Sequence, residues 1–365
     1  MSNWPEGTAV IYCQEAFNTT NGKTAHGLVR RSERYDVLCV VDATYAGQDA
    51  GQVLDGKPRD IPVVADLDQA LALAGQKGKP LTHFVVGLAP DGGRLPSSAR
   101  ADVARALQHG LNVDSGLHDF LGDDPELAGL AHGHGAVIRD VRKTPPRDKL
   151  HFFDGRINQV AAFKVAVLGT DSAVGKRTTA WLMVDAWRQA GRRSELVGTG
   201  QTAWLQGARR SLIMDSLIND FVAGEIEHAV WSCWSEDKAE IIVLEGQGSL
   251  MNPAYPGGFE LLAAGRPDVV IMQHAPTRLE YDGFPGHRMH DLPTQIQAVE
   301  LLSGKPVVAV TLNHEGLKAE EIDPACEAIT RETGLPAFDV LRDGAGRLIQ
   351  HLAERLAAHD QARKG

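Results

Sequence analysis

Residues 169–179 combine glycines, a lysine and small polar residues in an order that suits phosphate binding. They read Gly-Thr-Asp-Ser-Ala-Val-Gly-Lys-Arg-Thr-Thr and follow an apolar run at residues 164–168. Glycines let backbone N–H groups turn toward an anion, and the start of a following helix adds partial positive charge. Lys176 supplies a mobile cation for phosphate oxygens. The sequence therefore predicts a phosphate-binding loop, with these contacts: Gly169, Thr170, Ser172, Ala173, Val174, Gly175, Lys176, Arg177 and Thr178.

This loop departs from the common phosphate loop in two ways. Five residues separate Gly169 and Gly175 instead of four, a spacing that resembles the dethiobiotin-synthetase-like branch of P-loop proteins. Arg177 stands where an NTPase places the Ser or Thr that binds magnesium, and Thr178 replaces that residue only if the helix start shifts. The pattern indicates phosphate binding but not NTP hydrolysis. The alternative is a plain strand-to-helix turn that contains a chance Gly-Lys pair.

An acidic residue, Glu245, ends the apolar strand predicted at residues 240–244. The carboxyl ends of parallel strands meet at one edge of a sheet, so Glu245 is expected to face the phosphate loop. There it would orient a metal or take a proton from an attacking group. The amides of residues 246–248 are candidates for stabilising an oxyanion. The alternative is a solvated acid at a strand end.

Further polar residues follow other predicted strands or precede a predicted break. Gln201 lies in a glycine-containing loop, whereas His274 and Arg278 follow the strand predicted at residues 268–272. Arg139 and Arg142 form a basic cluster that suits ligand carboxylates or phosphates, and interdomain ion pairs are the equal alternative. A lone histidine is usually structural. No metal site is predicted.

The elements that must position these residues alternate between short apolar strands and helices. In the N-terminal part we expect strands at residues 9–13, 37–41, 61–64 and 84–88, with helices at 24–33, 67–73 and 97–109. In the C-terminal part we expect strands at residues 164–168, 195–197, 240–244, 268–272 and 306–311, with helices at 176–189, 212–222, 318–333 and 347–359. Such alternation predicts an α/β protein with two parallel sheets covered on both faces. Adjacent prolines at Pro145 and Pro146 mark a break. We therefore expect a Rossmann-like domain at residues 1–145, a linker at 146–158, and a P-loop NTPase-like, doubly wound domain at 159–365.

Composition excludes several classes of protein. The 365 residues carry a net charge of −10, which argues against a dedicated nucleic-acid or anionic-membrane binder. No apolar run approaches the roughly 20 residues that span a bilayer, and the N-terminus shows no signal peptide. Four cysteines without CxxC spacing favour free thiols in a reducing cytoplasm. We expect a cytoplasmic protein that acts on small molecules.

Taken together, the motifs resemble those of a known family. Residues 23–30 and 46–51 are similar to its first domain, and residues 139–146, 169–179, 198–202 and 245–249 match its remaining motifs. The chain resembles the DgcN-type D-glutamate N-acetyltransferase family over nearly its full length. The resemblance includes the family's Gly-Lys-Arg-Thr variation of the phosphate loop.

The resemblance implies acetyl transfer from acetyl-CoA to the amine of D-glutamate, in D-amino-acid catabolism. Some base must then deprotonate the amine, with Glu245 as first choice and Asp171 or His274 as second. Arg139, Arg142 and Arg278 are candidates for the substrate carboxylates, and the phosphate loop would hold phosphates of CoA. The alternatives are an ATP-dependent ligase or kinase, for which ATP and magnesium are less favoured because of Arg177, and a nucleotide-binding regulatory protein. A homo-oligomer is expected because closed symmetric assemblies are common.

Overall fold

The computed structural model of the chain describes residues 4–362. Internal contacts divide these residues into two compact units. The first unit contains residues 4–144 and 201–207, and the second contains residues 145–200 and 208–362. None of the described helices is long and apolar enough to cross a membrane.

Strands and helices alternate along both units. The strands are β1 (Gly7–Tyr12), β2 (Tyr35–Val41), β3 (Val63–Val64), β4 (His83–Val86), β5 (Asn112–Ser115), β6 (Ile138–Asp140), β7 (Phe163–Gly169), β8 (Ser194–Gly198), β9 (Arg210–Ser211), β10 (Ile241–Glu245), β11 (Val269–His274), β12 (Val307–Leu312) and β13 (Ala337–Phe338). The α-helices are α1 (Lys23–Arg30), α2 (Ala50–Asp55), α3 (Leu67–Lys77), α4 (Ser97–Gln108), α5 (Pro125–His134), α6 (Lys176–Gln189), α7 (Gln201–Gln206), α8 (Asn219–Ser235), α9 (Phe259–Gly265), α10 (Leu292–Ser303), α11 (Ala319–Thr333), α12 (Val340–Asp343) and α13 (Gly346–Ala362).

The first unit is built on a six-stranded sheet in the order β3-β2-β1-β4-β5-β6. Every neighbouring pair is parallel, and this order is the one found in Rossmann folds. The central strands β1 and β4 are rich in apolar residues that are fully buried, such as Val10, Ile11 and Phe84. A strand buried on both faces needs helices on both sides of the sheet, which is why the α/β alternation in the sequence predicts this architecture.

Helix α7 belongs to the first unit, although it follows strand β8 of the second. Leu205 is fully buried in the core of the first unit. Arg34 lies over the Trp204 ring at 3.6 Å and donates a hydrogen bond to the Trp204 carbonyl. No sequence signal predicted that α7 packs in the first unit, because local periodicity does not identify the core against which a helix packs.

The second unit is built on a seven-stranded parallel sheet in the order β13-β12-β11-β7-β10-β8-β9. Strand β7 lies between β10 and β11, and all seven of its residues are buried. In register, Glu245 pairs with Val167 and Gln273 pairs with Gly169. The ends of these three strands therefore bring Gly169, Glu245 and His274 to one edge of the sheet.

The sequence prediction was wrong in one place and incomplete in others. The helix expected at residues 212–222 is not formed: β9 and a short 3-10 turn (Met214–Ser216) precede α8, which begins only at Asn219. Asp215 lies in this 3-10 turn, whereas Asp220 lies in the first turn of α8. Ten further elements within residues 4–362 were not predicted, namely strands β5, β6, β9 and β13 and helices α2, α5, α7, α9, α10 and α12. Most are short, and short elements carry too few residues to show a clear period.

Candidate functional site

The phosphate loop connects β7 to α6, and α6 begins at Lys176, as the sequence predicts. Two residues of the loop have positive φ angles, Ala173 at 52° and Gly175 at 106°. Such angles curl the chain so that successive amides turn to one side. Gly175 precedes the helix and provides no side-chain cap for its first N–H groups. The loop therefore has the backbone shape and the helix start of an anion-binding cup.

Lys176 is buried inside this cup. Its Nζ donates hydrogen bonds to the carbonyl oxygens of Asp171, at 2.6 Å, and of Gly248, at 2.8 Å. Burial lowers the pKa of Lys176 to about 8, although the charges of Asp171 and Glu245 oppose this shift. A cation held by neutral carbonyl groups is well placed to meet an anion.

The residues after Lys176 do not form a magnesium site of the NTPase type. Because the helix begins at Lys176, Arg177 occupies the position at which the magnesium-binding hydroxyl would lie. Thr178 is half-buried one position later, and the Thr179 hydroxyl donates to the Gln273 side chain. Within residues 4–362, no group of three or more histidine, cysteine or acidic side chains is arranged to hold a metal ion.

Glu245 lies at the end of β10, and only 4% of its surface is exposed. Its Oε2 accepts a hydrogen bond from the Thr199 amide at 2.9 Å, and the Thr199 hydroxyl donates to the Glu245 carbonyl. Burial raises the pKa of the Glu245 carboxyl group, and the positive charges of Arg177 and Lys176 oppose this shift in part. A carboxylate with a raised pKa binds protons more strongly, as a general base requires.

Asp171 is fully buried, and its carboxylate accepts four hydrogen bonds. Oδ1 accepts from the Ser172 amide and from Asn252 Nδ2, at 2.7 and 2.8 Å. Oδ2 accepts from the Asp282 amide and from an Arg278 guanidinium nitrogen, at 2.7 and 3.1 Å. A proton taken by this carboxylate would disturb these bonds. The geometry therefore favours a positioning role for Asp171 and leaves Glu245 as the better base.

His274 is the last residue of β11 and Arg278 follows this strand, near the phosphate loop. His274 Nδ1 lies 3.1 Å from the Thr170 hydroxyl, and burial lowers the pKa of His274 to about 4. The ring is therefore uncharged at neutral pH and accepts protons weakly. Arg278 donates to Asp171 and to the Ser172 carbonyl, and it forms an ion pair with the exposed Glu315 at 3.2 Å.

The other predicted binding residues lie in the first unit. Arg139 forms ion pairs with Asp114 and Glu6, and Arg142 donates to the Gly116 carbonyl at 2.7 Å. Gln201 begins α7 and approaches Gly116 so closely that a Cβ there would lie 2.7 Å from its side chain. All three side chains thus contact residues of their own unit.

Sequence reasoning missed the residues that support the loop. Asn252 and the Asp282 amide hold Asp171, and Gln273 accepts hydrogen bonds from Thr179 and Thr311. Asn252 lies in a glycine- and proline-containing stretch after β10, which is a signal for a structured turn but not for a partner of Asp171. The amide of Gly246, considered for an oxyanion, donates instead to the Val167 carbonyl in the sheet.

Two family models match the chain and together cover most of it. Residues 43–144 match a domain of unknown function (DUF1611_N) described as a Rossmann-like domain. Residues 151–349 match its C-terminal counterpart (DUF1611_C), described as a P-loop domain. The chain belongs to the DUF1611 family. The predicted fold class, a Rossmann-like unit followed by a P-loop unit, is thereby confirmed.

Curated relatives and a solved structure agree with this assignment. A protein of Tritonibacter scottomollicae named D-glutamate N-acetyltransferase is 34% identical over 290 residues, which cover 78% of the chain and 84% of the relative. A protein of Pseudoalteromonas sp. with the same name is 29% identical over 277 residues, which cover 74% of the chain and 80% of the relative. The crystal structure of a DUF1611 family protein from Anabaena variabilis has a TM-score of 0.86 and 30% identity, covering 96% of this chain and all of the other. The chain is therefore a member of an acyltransferase family, and the resemblance inferred from its motifs is confirmed.

Proposed function

We propose that this DUF1611 chain transfers the acetyl group of acetyl-CoA to the amine of D-glutamate. The observation that carries the proposal is the 34% identity, over most of both chains, to a relative named D-glutamate N-acetyltransferase. The geometry of the second unit is compatible with this chemistry. It combines an anion-binding loop, a buried lysine and a buried carboxylate at one edge of a sheet.

The phosphate loop suits a phosphate of CoA that is bound but not cleaved. The positive φ angles of Ala173 and Gly175 and the start of α6 favour an anion. Lys176 adds a cation, and Arg177 replaces the hydroxyl that a magnesium-dependent NTPase needs. We infer that Lys176 and the amides of residues 173–178 hold one phosphate group of the acyl donor.

Acetyl transfer forms a bond between the amine nitrogen and the acetyl carbon and breaks the bond from that carbon to sulfur. The amine is protonated near neutral pH and must lose one proton before it attacks, and we assign the removal of this proton to Glu245, whose raised pKa increases its affinity for protons. After the attack the nitrogen loses a second proton, and the leaving thiolate takes up one proton and departs as free CoA thiol. In the second unit, Arg278 is the candidate for binding a substrate carboxylate. Its ion pair with Glu315 is weak because Glu315 is exposed, so a carboxylate of the substrate can take the place of Glu315.

Thiol release distinguishes this function from its alternatives. The purified protein is incubated with D-glutamate and either acetyl-CoA or Mg-ATP, and free thiol and ADP are measured. The proposal requires thiol release that depends on both acetyl-CoA and the amino acid. ADP release without thiol would indicate a ligase or kinase, and binding without turnover would indicate a regulatory protein. No thiol release with any D- or L-amino acid would reject acetyl transfer.

A further inference from the structure

Two loops beside the phosphate cup carry large apolar side chains that are exposed to solvent. The loop after β10 carries Tyr255, which is 58% exposed, and the loop after β11 carries Leu279, which is 66% exposed, and the half-buried Phe284. The rings of Tyr255 and Phe284 meet edge to face, with their centroids 6.2 Å apart. Exposed apolar side chains that cluster in this way mark a binding surface more often than isolated ones do.

The backbone beneath Tyr255 is held firmly. The Asn252 side-chain oxygen accepts hydrogen bonds from the amides of Ala254 and Tyr255, at 2.9 and 3.0 Å. The Tyr255 carbonyl accepts from the Ser249 amide, and it lies only 1.9 Å from where a Cβ on Gly248 would be. Tyr255 therefore displays its ring from a fixed turn, which lowers the entropy lost when a ligand binds.

The loop that carries Phe284 is also ordered. The Tyr281 amide donates to the His287 carbonyl and the Met289 amide donates to the Leu279 carbonyl, as in a small hairpin. The amide of Asp282, two residues before Phe284, donates to the buried carboxylate of Asp171. Asp171 also accepts from Asn252, so the same residue of the phosphate loop holds both aromatic loops.

The aromatic surface is continuous with the phosphate cup. The Gly248 carbonyl accepts the hydrogen bond from Lys176 Nζ at 2.8 Å, and Gly248 packs against the backbone of Tyr255. A ligand whose phosphate lies beside Lys176 is therefore close to the turn that carries Tyr255.

We propose that Tyr255, supported by Phe284, is a stacking platform for the adenine ring of the acyl donor. A flat purine stacks on the face of an aromatic ring regardless of its hydrogen-bonding pattern. The face of the ring is electron-rich, so it is a poor partner for the two carboxylates of D-glutamate. This inference rests on the proposed function, since it assumes that the donor is a CoA thioester.

Two acyl donors test the platform. Acetyl-CoA contains the nucleotide, whereas acetyl-pantetheine is the same thioester without it. Kinetics are measured with both donors for the wild type, Y255A and Y255F. The matched control is Leu301→Ala, because Leu301 is 86% exposed but lies in the last turn of α10, which leads to the opposite edge of the sheet. Thermal unfolding of each variant confirms that it is folded.

Loss of the stacked ring should raise the KM of Y255A for acetyl-CoA by roughly 5- to 100-fold. Its KM for acetyl-pantetheine, its KM for D-glutamate and its kcat should stay within about twofold of the wild type, and Y255F and L301A should behave like the wild type. Equal effects on both donors, no effect on either, or an effect on the KM for D-glutamate would each overturn the platform. If the wild type transfers acetyl groups while Y255A is unaffected, only the platform is wrong. A wild type that neither binds CoA nor releases thiol would reject the proposed function and the platform with it.

Discussion

At the scale of single residues, the site pairs two groups whose charged forms are disfavoured by burial. Lys176 and Glu245 are both buried at the edge of the second sheet, and burial lowers the pKa of the lysine and raises that of the glutamate. Perturbed groups of this kind are concentrated at functional sites. Each shift predicts a pH dependence of its own.

Lys176 should make the affinity for CoA depend on pH. Its pKa of about 8 means that it is protonated below that value and loses its charge above it. The dissociation constant of CoA should therefore rise as pH increases through about 8, measured by calorimetry from about pH 6 to about pH 10. K176R should remove this rise, because arginine stays charged, whereas K176M should bind weakly throughout. An unchanged affinity across this range in the wild type would contradict the role of Lys176.

Glu245 should control the chemical step. Removing the base with E245Q should lower kcat by roughly 100- to 10,000-fold and leave the KM for acetyl-CoA nearly unchanged. In the wild type, kcat/KM should fall as pH decreases through the pKa of Glu245, since the protonated acid accepts no proton, and burial raises this pKa above the usual range. The control is Glu354→Gln, an exposed position on α13. Equal activity of E245Q and the wild type would assign the base to another residue.

At the scale of elements, Asp171 holds together the loops that follow β10 and β11. Its partners Asn252 and the Asp282 amide belong to these two loops, and Arg278 adds an ion pair from the second. Such charge-assisted bonds are strong when they are buried. The carboxylate thus couples the shape of the cup to the position of the loops beside it.

The substitution D171N should loosen both loops without removing the base. Replacing the buried carboxylate should lower the free energy of unfolding of the second unit by roughly 1.5–3 kcal/mol, because a charged acceptor is lost. Hydrogen exchange should increase in residues 249–258 and 276–290, and the KM for acetyl-CoA should rise more than kcat falls. Asp220→Asn, at an exposed position, is the control. If kcat alone falls and exchange is unchanged, Asp171 acts as a base and not as a support.

At the scale of the whole molecule, the chain order and the packing order differ. Helix α7 lies between strands β8 and β9 of the second unit in the sequence but packs in the core of the first. A contact between the Thr24 and Thr202 hydroxyls and the hydrogen bond from Gln206 to the Gly27 carbonyl attach it to α1. The first unit is therefore completed by a segment that is synthesised after the start of the second.

Truncating the buried residue of α7 should destabilise the first unit. Leu205→Ala should lower its free energy of unfolding by about 2–5 kcal/mol, as is usual for a fully buried leucine. Denaturant unfolding monitored by hydrogen exchange locates the loss of stability, which should lie in residues 4–144. Leu301→Ala, on the surface of the second unit, should change stability by less than about 0.5 kcal/mol. Loss confined to the second unit would contradict the assignment of α7.

Several elements were predictable because their signals are local. The helix predicted at residues 176–189 is α6, and β10 and β11 lie within one or two residues of their predicted positions. Strand β7, the phosphate loop and α6 follow one another directly in the sequence, and glycines mark the turn between them. The helix predicted at residues 212–222 was wrong. The apolar residues of this region fit a helix, but β9 pairs with β8 and α8 begins only at Asn219. Pairing between strands competes with local preference, and no local pattern records it.

The sequence alone determined the two parallel α/β units, the phosphate loop and the carboxylate at the end of β10. These features depend on residues that are close in the chain. Only the tertiary structure decided that Asp171 supports two loops, since its partners Asn252 and Asp282 lie 81 and 111 residues away. Only the tertiary structure shows that α7 packs in the first unit and that burial lowers the pKa of Lys176. The physical reason is that desolvation and long-range hydrogen bonds arise from packing, which brings together residues that no short stretch of sequence contains.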